Sequence, residues 1–171
     1  MFRGKLLSIA VCPAAGLPMQ PVDEVEAVPG EGLRGDRYFA RRGAFQRGDR
    51  IEPSQEVTLI EREAIEAAGR EYEIELTHLE TRRNLLTEGA PLNHLVGRTF
   101  RIGGVLLCGV ELCEPCGYLE KLTRPGVKKS LVHRGGLRAR VLRGGVLRAG
   151  DVIEPTDQPA NAETDSIPAA E

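Results

Sequence analysis

Thr99-Phe100-Arg101-Ile102-Gly103-Gly104-Val105-Leu106-Leu107-Cys108-Gly109-Val110-Glu111-Leu112 is the stretch on which the fold turns. Thr99 to Ile102 and Val105 to Leu112 read as strands. Gly103-Gly104 between them is good hairpin chemistry, because glycine takes the positive φ angles of a tight turn freely. Upstream, Lys5 to Val11 alternates and ends at Cys12-Pro13, and Val22 to Val28 is a second strand closed by Pro29-Gly30. A loop dense in Gly and Arg follows, from Glu31 to Arg50, with turns at Gly35-Asp36-Arg37 and Gly48-Asp49-Arg50. Glu56 to Ile60 reads as a short strand, Glu61 to Gly69 as a helix ending at its glycine, and Tyr72 to Leu76 alternates again. Thr81 to Gly89 reads as a loop entering a buried strand, and Leu92 to Val96 as one helical turn. Downstream, Tyr118 to Leu122 predicts a short helix. Leu137 to Leu142 and Val146 to Ile153 predict two further strands joined at Gly144-Gly145.

Many short strands, few helices, 20 Gly and 11 Pro predict a mainly β protein. The expected architecture is a closed or nearly closed β-barrel with a few short helices added. The expected domain runs over residues 1–155. Residues 156–171, rich in Pro, Ala and acid, have little to bury and are expected to form a disordered acidic tail.

The 171 residues, 41% hydrophobic and 28% charged, suit one globular domain. No run approaches the roughly 18 apolar residues of a membrane span, and Met1 to Ala10 passes straight into strand-like sequence, so a cytoplasmic location is expected. The net charge of −2 conceals a polarised distribution: nine Lys or Arg and no acid from Lys121 to Arg148, then six acids and no Lys or Arg from Asp151 onward. The basic stretch invites an anion, although a solvated basic face accounts for it as well. Nucleic acid is disfavoured, since aromatics are 4% of the chain and Trp is absent, leaving few stacking platforms.

Directly after the hairpin comes Cys113-Glu114-Pro115-Cys116. A CxxC alone serves zinc, redox and cofactor sites alike. Structural zinc wants four Cys or His ligands, commonly as two close pairs. Here Cys12, Cys108, His78, His94 and His133 are scattered singly. A thioredoxin-like pair belongs in a βαβ pattern, whereas hairpin sequence flanks this loop. A thiolate site at a strand end remains. Pro115 stiffens the turn and biases Glu114 to extended backbone, so Cys116 can be aimed at a fixed point. Nearby cations or a metal lower a thiol's pKa, and the basic stretch and the Arg82-Arg83 pair could provide those cations. A soft thiolate suits soft metal centres. The alternative is an inert, buried cysteine, which weighs more for Cys113 than for Cys116.

Gly32-Leu33-Arg34-Gly35-Asp36-Arg37, Arg82-Arg83-Asn84-Leu85-Leu86, Leu112-Cys113-Glu114-Pro115-Cys116, and Gly136-Leu137-Arg138-Ala139-Arg140-Val141-Leu142 with Gly145 and Gly150-Asp151 together resemble the MOSC domain, named for the C-terminal part of molybdenum cofactor sulfurases. The resemblance runs in order from about Gly4 to Pro155. It implies a β-rich barrel of MOSC type and makes Cys116 the thiolate that ligates molybdenum or carries sulfur. It also implies that Arg82, Arg83 and Asn84 hold the anionic and polar groups of a pyranopterin, the molybdenum cofactor (molybdopterin), with Arg37 a further cation. Guanidinium forks do bind phosphate bidentately, and an amide can both donate and accept toward a pterin edge. Asp36 can instead pair with an Arg to lock its loop. Some members carry a Lys-Ser near the position of Ala14 to Met19 that contacts the cofactor phosphate, and this sequence has none. His133-Arg134-Gly135-Gly136 is the stretch that could take over that role, with a tight turn as the simpler account of its glycines.

The implied activity is molybdenum-dependent oxidoreductase chemistry, such as reduction of N-hydroxylated compounds. A carrier holding a Cys116 persulfide for metal-sulfur centres is the alternative, and a barrel without cofactor the third. No pyridoxal-phosphate domain fits in this chain. A loading sulfurase or an electron donor would therefore be a separate protein.

Overall fold

A computed structural model of the protein describes residues 1–160. In chain order the elements are β1 (Gly4–Val11), β2 (Gln20–Val22), β3 (Glu24–Val28), β4 (Gly32–Leu33), β5 (Val57–Glu61), α1 (Arg62–Tyr72), α2 (His78–Thr81), β6 (Leu85–Glu88), β7 (Thr99–Ile102), β8 (Val105–Leu112), α3 (Gly117–Leu122), α4 (Val127–Ser130), β9 (Leu137–Arg143), β10 (Gly145–Arg148) and β11 (Val152–Pro155). Hydrogen-bonded neighbours follow the order β11-β7-β8-β9-β5-β6-β1, and pairing of β1 with β11, Gly4 opposite Ile153, closes the ring into a seven-stranded barrel. The expected mainly β fold of MOSC type is therefore present.

The barrel interior is a packed core. Leu6 and Ile9 of β1, Val57 and Leu59 of β5, Leu85, Phe100, Leu107, Leu137 and Ala139 are all buried within it. Each strand alternates, sending Thr58, Ile60 and Arg138 to the outer side. In β1 a bulge between Leu6 and Ser8 shifts the register by one residue, which lets both Leu6 and Ile9 face inward despite their odd spacing. On the outside, α1, α3 and α4 pack Ala68, Leu119, Val127 and Leu131 against Ile60, forming a second apolar cluster.

Several elements differ from expectation. The single strand read over Val22 to Val28 is two: β2 stays with β1, while β3 joins β4 and β10 in a separate three-stranded sheet. Val146 to Ile153 splits likewise at Ala149-Gly150-Asp151, where Gly150 has φ +98° and the Asp151 carboxylate accepts from the Arg148 N–H. β9 and β10 consequently do not form a hairpin, and β10 pairs with β3. The helix expected to stop at Gly69 runs on to Tyr72 and ends at Glu73, which takes the left-handed conformation with φ +55°. One internal glycine costs a helix only about 1 kcal/mol, which burial of Ala68 together with the packing of Ile65 on the same helix offsets. Tyr72 to Leu76 is accordingly no strand. It leads into α2, whose start is fixed by a capping box between Thr77 and Glu80. β5 and β6 are parallel, joined across α1 and α2.

The first part of the expected acidic tail lies on the barrel. Thr99 Oγ1 donates to the Thr156 carbonyl (3.0 Å) and Arg140 to the Ala160 carbonyl (3.0 Å). The remainder, 161–171, lies outside the described residues. No described helix is long and apolar enough to cross a membrane.

Candidate functional site

The Cys loop leaves β8 at Leu112 and enters α3, with Cys116 as the residue that precedes the helix in extended conformation. Arg83 pins it from beneath. This guanidinium is only 7% exposed, and it donates to the carbonyls of Cys113 (2.9 Å), Gly135 (2.8 Å) and Thr81 (3.0 Å). Gly135 backs directly onto the loop, since a Cβ there would strike the Cys113 carbonyl and the Pro115 ring. Gly136, at φ +109°, lies so close to β5 that a Cβ would overlap the Leu59 carbonyl. Both glycines thus serve close backbone approach.

Asn84 is equally committed to the protein. Its Oδ1 accepts from the Thr58 N–H (3.1 Å) and hydroxyl (2.9 Å), and its amide donates to the Ala10 carbonyl (3.1 Å) and Asp36 (3.1 Å). Asp36, 1% exposed, also accepts from the Cys12 N–H (3.0 Å) and lies 3.4 Å from the Arg37 guanidinium. The expected Asp-Arg lock is therefore built, with Asn84 as its third member.

A cleft on the outer side of β5 and β9 brings together Cys113, Cys116, Arg37, Arg82, Arg83 and Arg138, and Tyr38, Phe45 and Tyr118 also line it. Its cavity volume is about 50 Å³, and it opens to solvent. Cys113 is buried and Cys116 half-buried. Phe45, from the Gly- and Arg-rich loop, meets Tyr118 of α3 edge to face at 5.9 Å, spanning the mouth. Burial raises the Tyr38 pKa, with the Arg37 charge opposing, so its phenol stays protonated. Arg37 is engaged by Asp36 and by the Arg82 carbonyl (3.2 Å), and Arg138 lies 3.7 Å from Glu111. Arg82 has no carboxylate partner among the described residues. Its guanidinium donates to the Leu17 carbonyl (2.8 Å) and approaches Cys12 Sγ (3.6 Å). Arg83 has no carboxylate partner among the described residues either but is buried beneath the loop, which leaves half-buried Arg82 as the more accessible of these two guanidinium groups.

His133 and Arg134 do not line this cleft. His133, at φ +61°, turns its N–H and Nδ1 toward the Glu114 carboxylate (3.0 and 3.2 Å), and Arg134 pairs with Glu71 (2.5 Å) across the Tyr72 ring. Three more cations of the basic stretch are met by acids from upstream: Arg124 by Glu80, Arg138 by Glu111 and Arg148 by Glu24. Among the described residues no three His, Cys, Asp or Glu side chains gather as a metal would require. A metal on Cys116 would take its other ligands from outside the chain.

The MOSC domain family model matches residues 46–154, more than half of the chain. The chain belongs to the MOSC domain family. Three solved structures share the fold. The YUAD protein from Bacillus subtilis superposes with a TM-score of 0.75 at 19% identity, covering 90% of this chain and 97% of that one. YiiM from Geobacillus stearothermophilus gives 0.67 at 17% identity, covering 94% and 78%. YiiM from Escherichia coli gives 0.64 at 19% identity, covering 90% and 70%. No curated protein matches the sequence.

Sequence reasoning did not reach Tyr38, Phe45, Tyr118, Thr58 or Arg138 as cleft residues. Only Arg138 carried a signal, because alternation in Leu137-Arg138-Ala139 sets it opposite the core. Thr58, Tyr38 and Phe45 arrive by tertiary contact, for which a single sequence holds no periodicity.

Proposed function

We propose that this MOSC protein binds a molybdenum cofactor through the Cys116 thiolate and works as an oxidoreductase, reducing N-hydroxylated compounds with electrons from a separate donor protein. The observation that carries the reading is the convergence in a single cleft of the half-buried Cys116 thiol and Arg82, a guanidinium without a carboxylate partner among the described residues. The donor chemistry fits: a soft thiolate for a soft metal, and guanidinium forks for the cofactor's anionic groups. When bound, the cofactor supplies the redox centre. The chain supplies the rest. Arg83 holds the Cys loop so that Cys116 is aimed into the cleft, Asn84 and Asp36 fix the loop bearing Arg37, and the Phe45–Tyr118 contact limits entry of water. Arg83 and Asn84 thus contribute by positioning, since their hydrogen-bonding groups are occupied by the protein itself. Arg82, Arg37 and Arg138 are the residues for anion contact. Four free thiols suit a reducing, cytoplasmic setting.

The test is molybdenum and pterin per chain, for wild type and Cys116→Ala purified from a host that makes the cofactor. Stoichiometric metal lost in the variant is the expected result, and loss in Cys113→Ala but not Cys116→Ala refutes the assignment. A second reading, a persulfide carrier, is favoured by one observation. The cleft's cavity volume of about 50 Å³ suits a single added sulfur better than a pterin. Metal-free wild type with cyanide-releasable sulfur on Cys116 would decide for it.

A further inference from the structure

The Cys116 cleft, with a cavity volume of about 50 Å³, holds little more than the reacting atoms of any guest. Clefts that bind small organic molecules commonly offer about 300 Å³ or more. Such a volume exists next door. A second trough of about 300 Å³ is lined by Pro18, Met19, Leu79, Glu80, Arg82 and Leu122, and Arg82 is a wall of both spaces. Arg82 occupies that position because it ends α2 in the left-handed conformation, φ +60°, with its guanidinium tethered to the Leu17 carbonyl.

The trough's chemistry is one-sided. Pro18, Met19, Leu79 and Leu122 give an apolar floor and rim, and Leu122 is 38% exposed with nothing covering it. The charge of Glu80 is already engaged: one carboxylate oxygen accepts from the Thr77 N–H (2.9 Å) and the other from Arg124 (2.8 Å). Arg82, the residue common to the trough and the thiol's cleft, has no carboxylate partner among the described residues.

We infer that the trough is a substrate subsite, which takes the apolar alkyl or aryl body of a small molecule whose acceptor-bearing head passes Arg82 to react at Cys116. This rests on the reading of Cys116 as the reacting centre but not on what it carries. Length of the apolar body then becomes the determinant of specificity. A small polar guest fills the cleft alone and gains nothing from the trough.

The experiment uses the full chain made in a host without molybdenum cofactor, treated with iodoacetamide and with N-alkyl iodoacetamides of increasing tail length. The thiolate displaces iodide and is left as a thioether, and mass spectrometry follows the rate at Cys116, with Cys116→Ser as the blank. Each buried methylene is worth about 0.8 kcal/mol, so partial burial of a four-carbon tail predicts a rate gain of about tenfold over iodoacetamide. Leu122→Asp, at an exposed position, and Leu79→Asn abolish that gain while leaving the iodoacetamide rate unchanged. A rate independent of tail length in wild type overturns the proposal, as does a gain that survives both substitutions. Neither outcome bears on metal content, which is read in a different host on Cys116→Ala.

Discussion

Arg83 shows how one buried side chain can serve a reactive residue it does not touch. Its three main-chain acceptors lie in the Cys loop, the approach to β9 and the end of α2, so removing the guanidinium leaves three carbonyls short of a donor at once. Arg83→Gln should lower unfolding free energy by about 3 kcal/mol, read by urea denaturation, and should also raise the alkylation rate of Cys116 by freeing its loop. Beneath it, His78 donates from Nε2 to the Arg83 carbonyl (2.9 Å) and accepts at Nδ1 from Ser8 (2.8 Å), a neutral imidazole with both nitrogens satisfied. Burial holds its pKa below the ordinary 6.5, against the raising effect of the Arg83 carbonyl. The unfolded chain therefore takes up this proton first as pH falls. Stability is full above about 6.5 and is lost as pH drops from there toward the depressed folded value. Thermal melts between pH 7.5 and 5 should show that loss, and His78→Gln should flatten it while lowering the melting temperature throughout. At this scale the sequence points to both arginines but does not tell their contacts apart. Arg82 and Arg83 are adjacent in the chain, and only the left-handed turn at Arg82 sends one to the cleft wall and the other under the loop.

Elements are positioned by short local signals and by contacts no local signal reveals. The capping box opening α2 is local, and Thr77→Ala should cost about 1 kcal/mol in a denaturation midpoint. The β7–β8 hairpin was legible for the same reason, since strand composition and Gly103-Gly104 agree. Val22 to Val28 and Val146 to Ile153 were legible as β structure but not as pairs of strands. Alternation reports which face is apolar, and both sheets bury an apolar face, so the change of sheet leaves the pattern intact. The entry to β9 is the opposite case, decided by space. A methyl group at Gly136 meets the Leu59 carbonyl at a backbone angle side chains rarely adopt. Gly136→Ala should destabilise the protein by about 3 kcal/mol or prevent its folding, whereas Gly97→Ala, with open space around it, should lose only about 1 kcal/mol to its positive φ.

At the scale of the whole molecule the candidate site lies outside the barrel, whose interior is packed with side chains. Phe100 and its neighbours leave no room for a guest, and Phe100→Ala should cost about 4 kcal/mol without altering Cys116 reactivity in the protein that remains folded. The candidate site lies on the outer faces of β5 and β9, beside the loop bearing Phe45 and the six-residue α3. The ring itself is closed by its first and last strands. A chain leaving the ribosome in order must therefore carry the Gly4–Lys5 edge of β1 unpaired until Val152 and Ile153 emerge. Throughout that interval the nascent protein has an open sheet margin and an unsealed apolar interior. A chain stalled before Val152 should be cut readily by protease where the released chain is not, making the final strand the latch of synthesis as well as of structure.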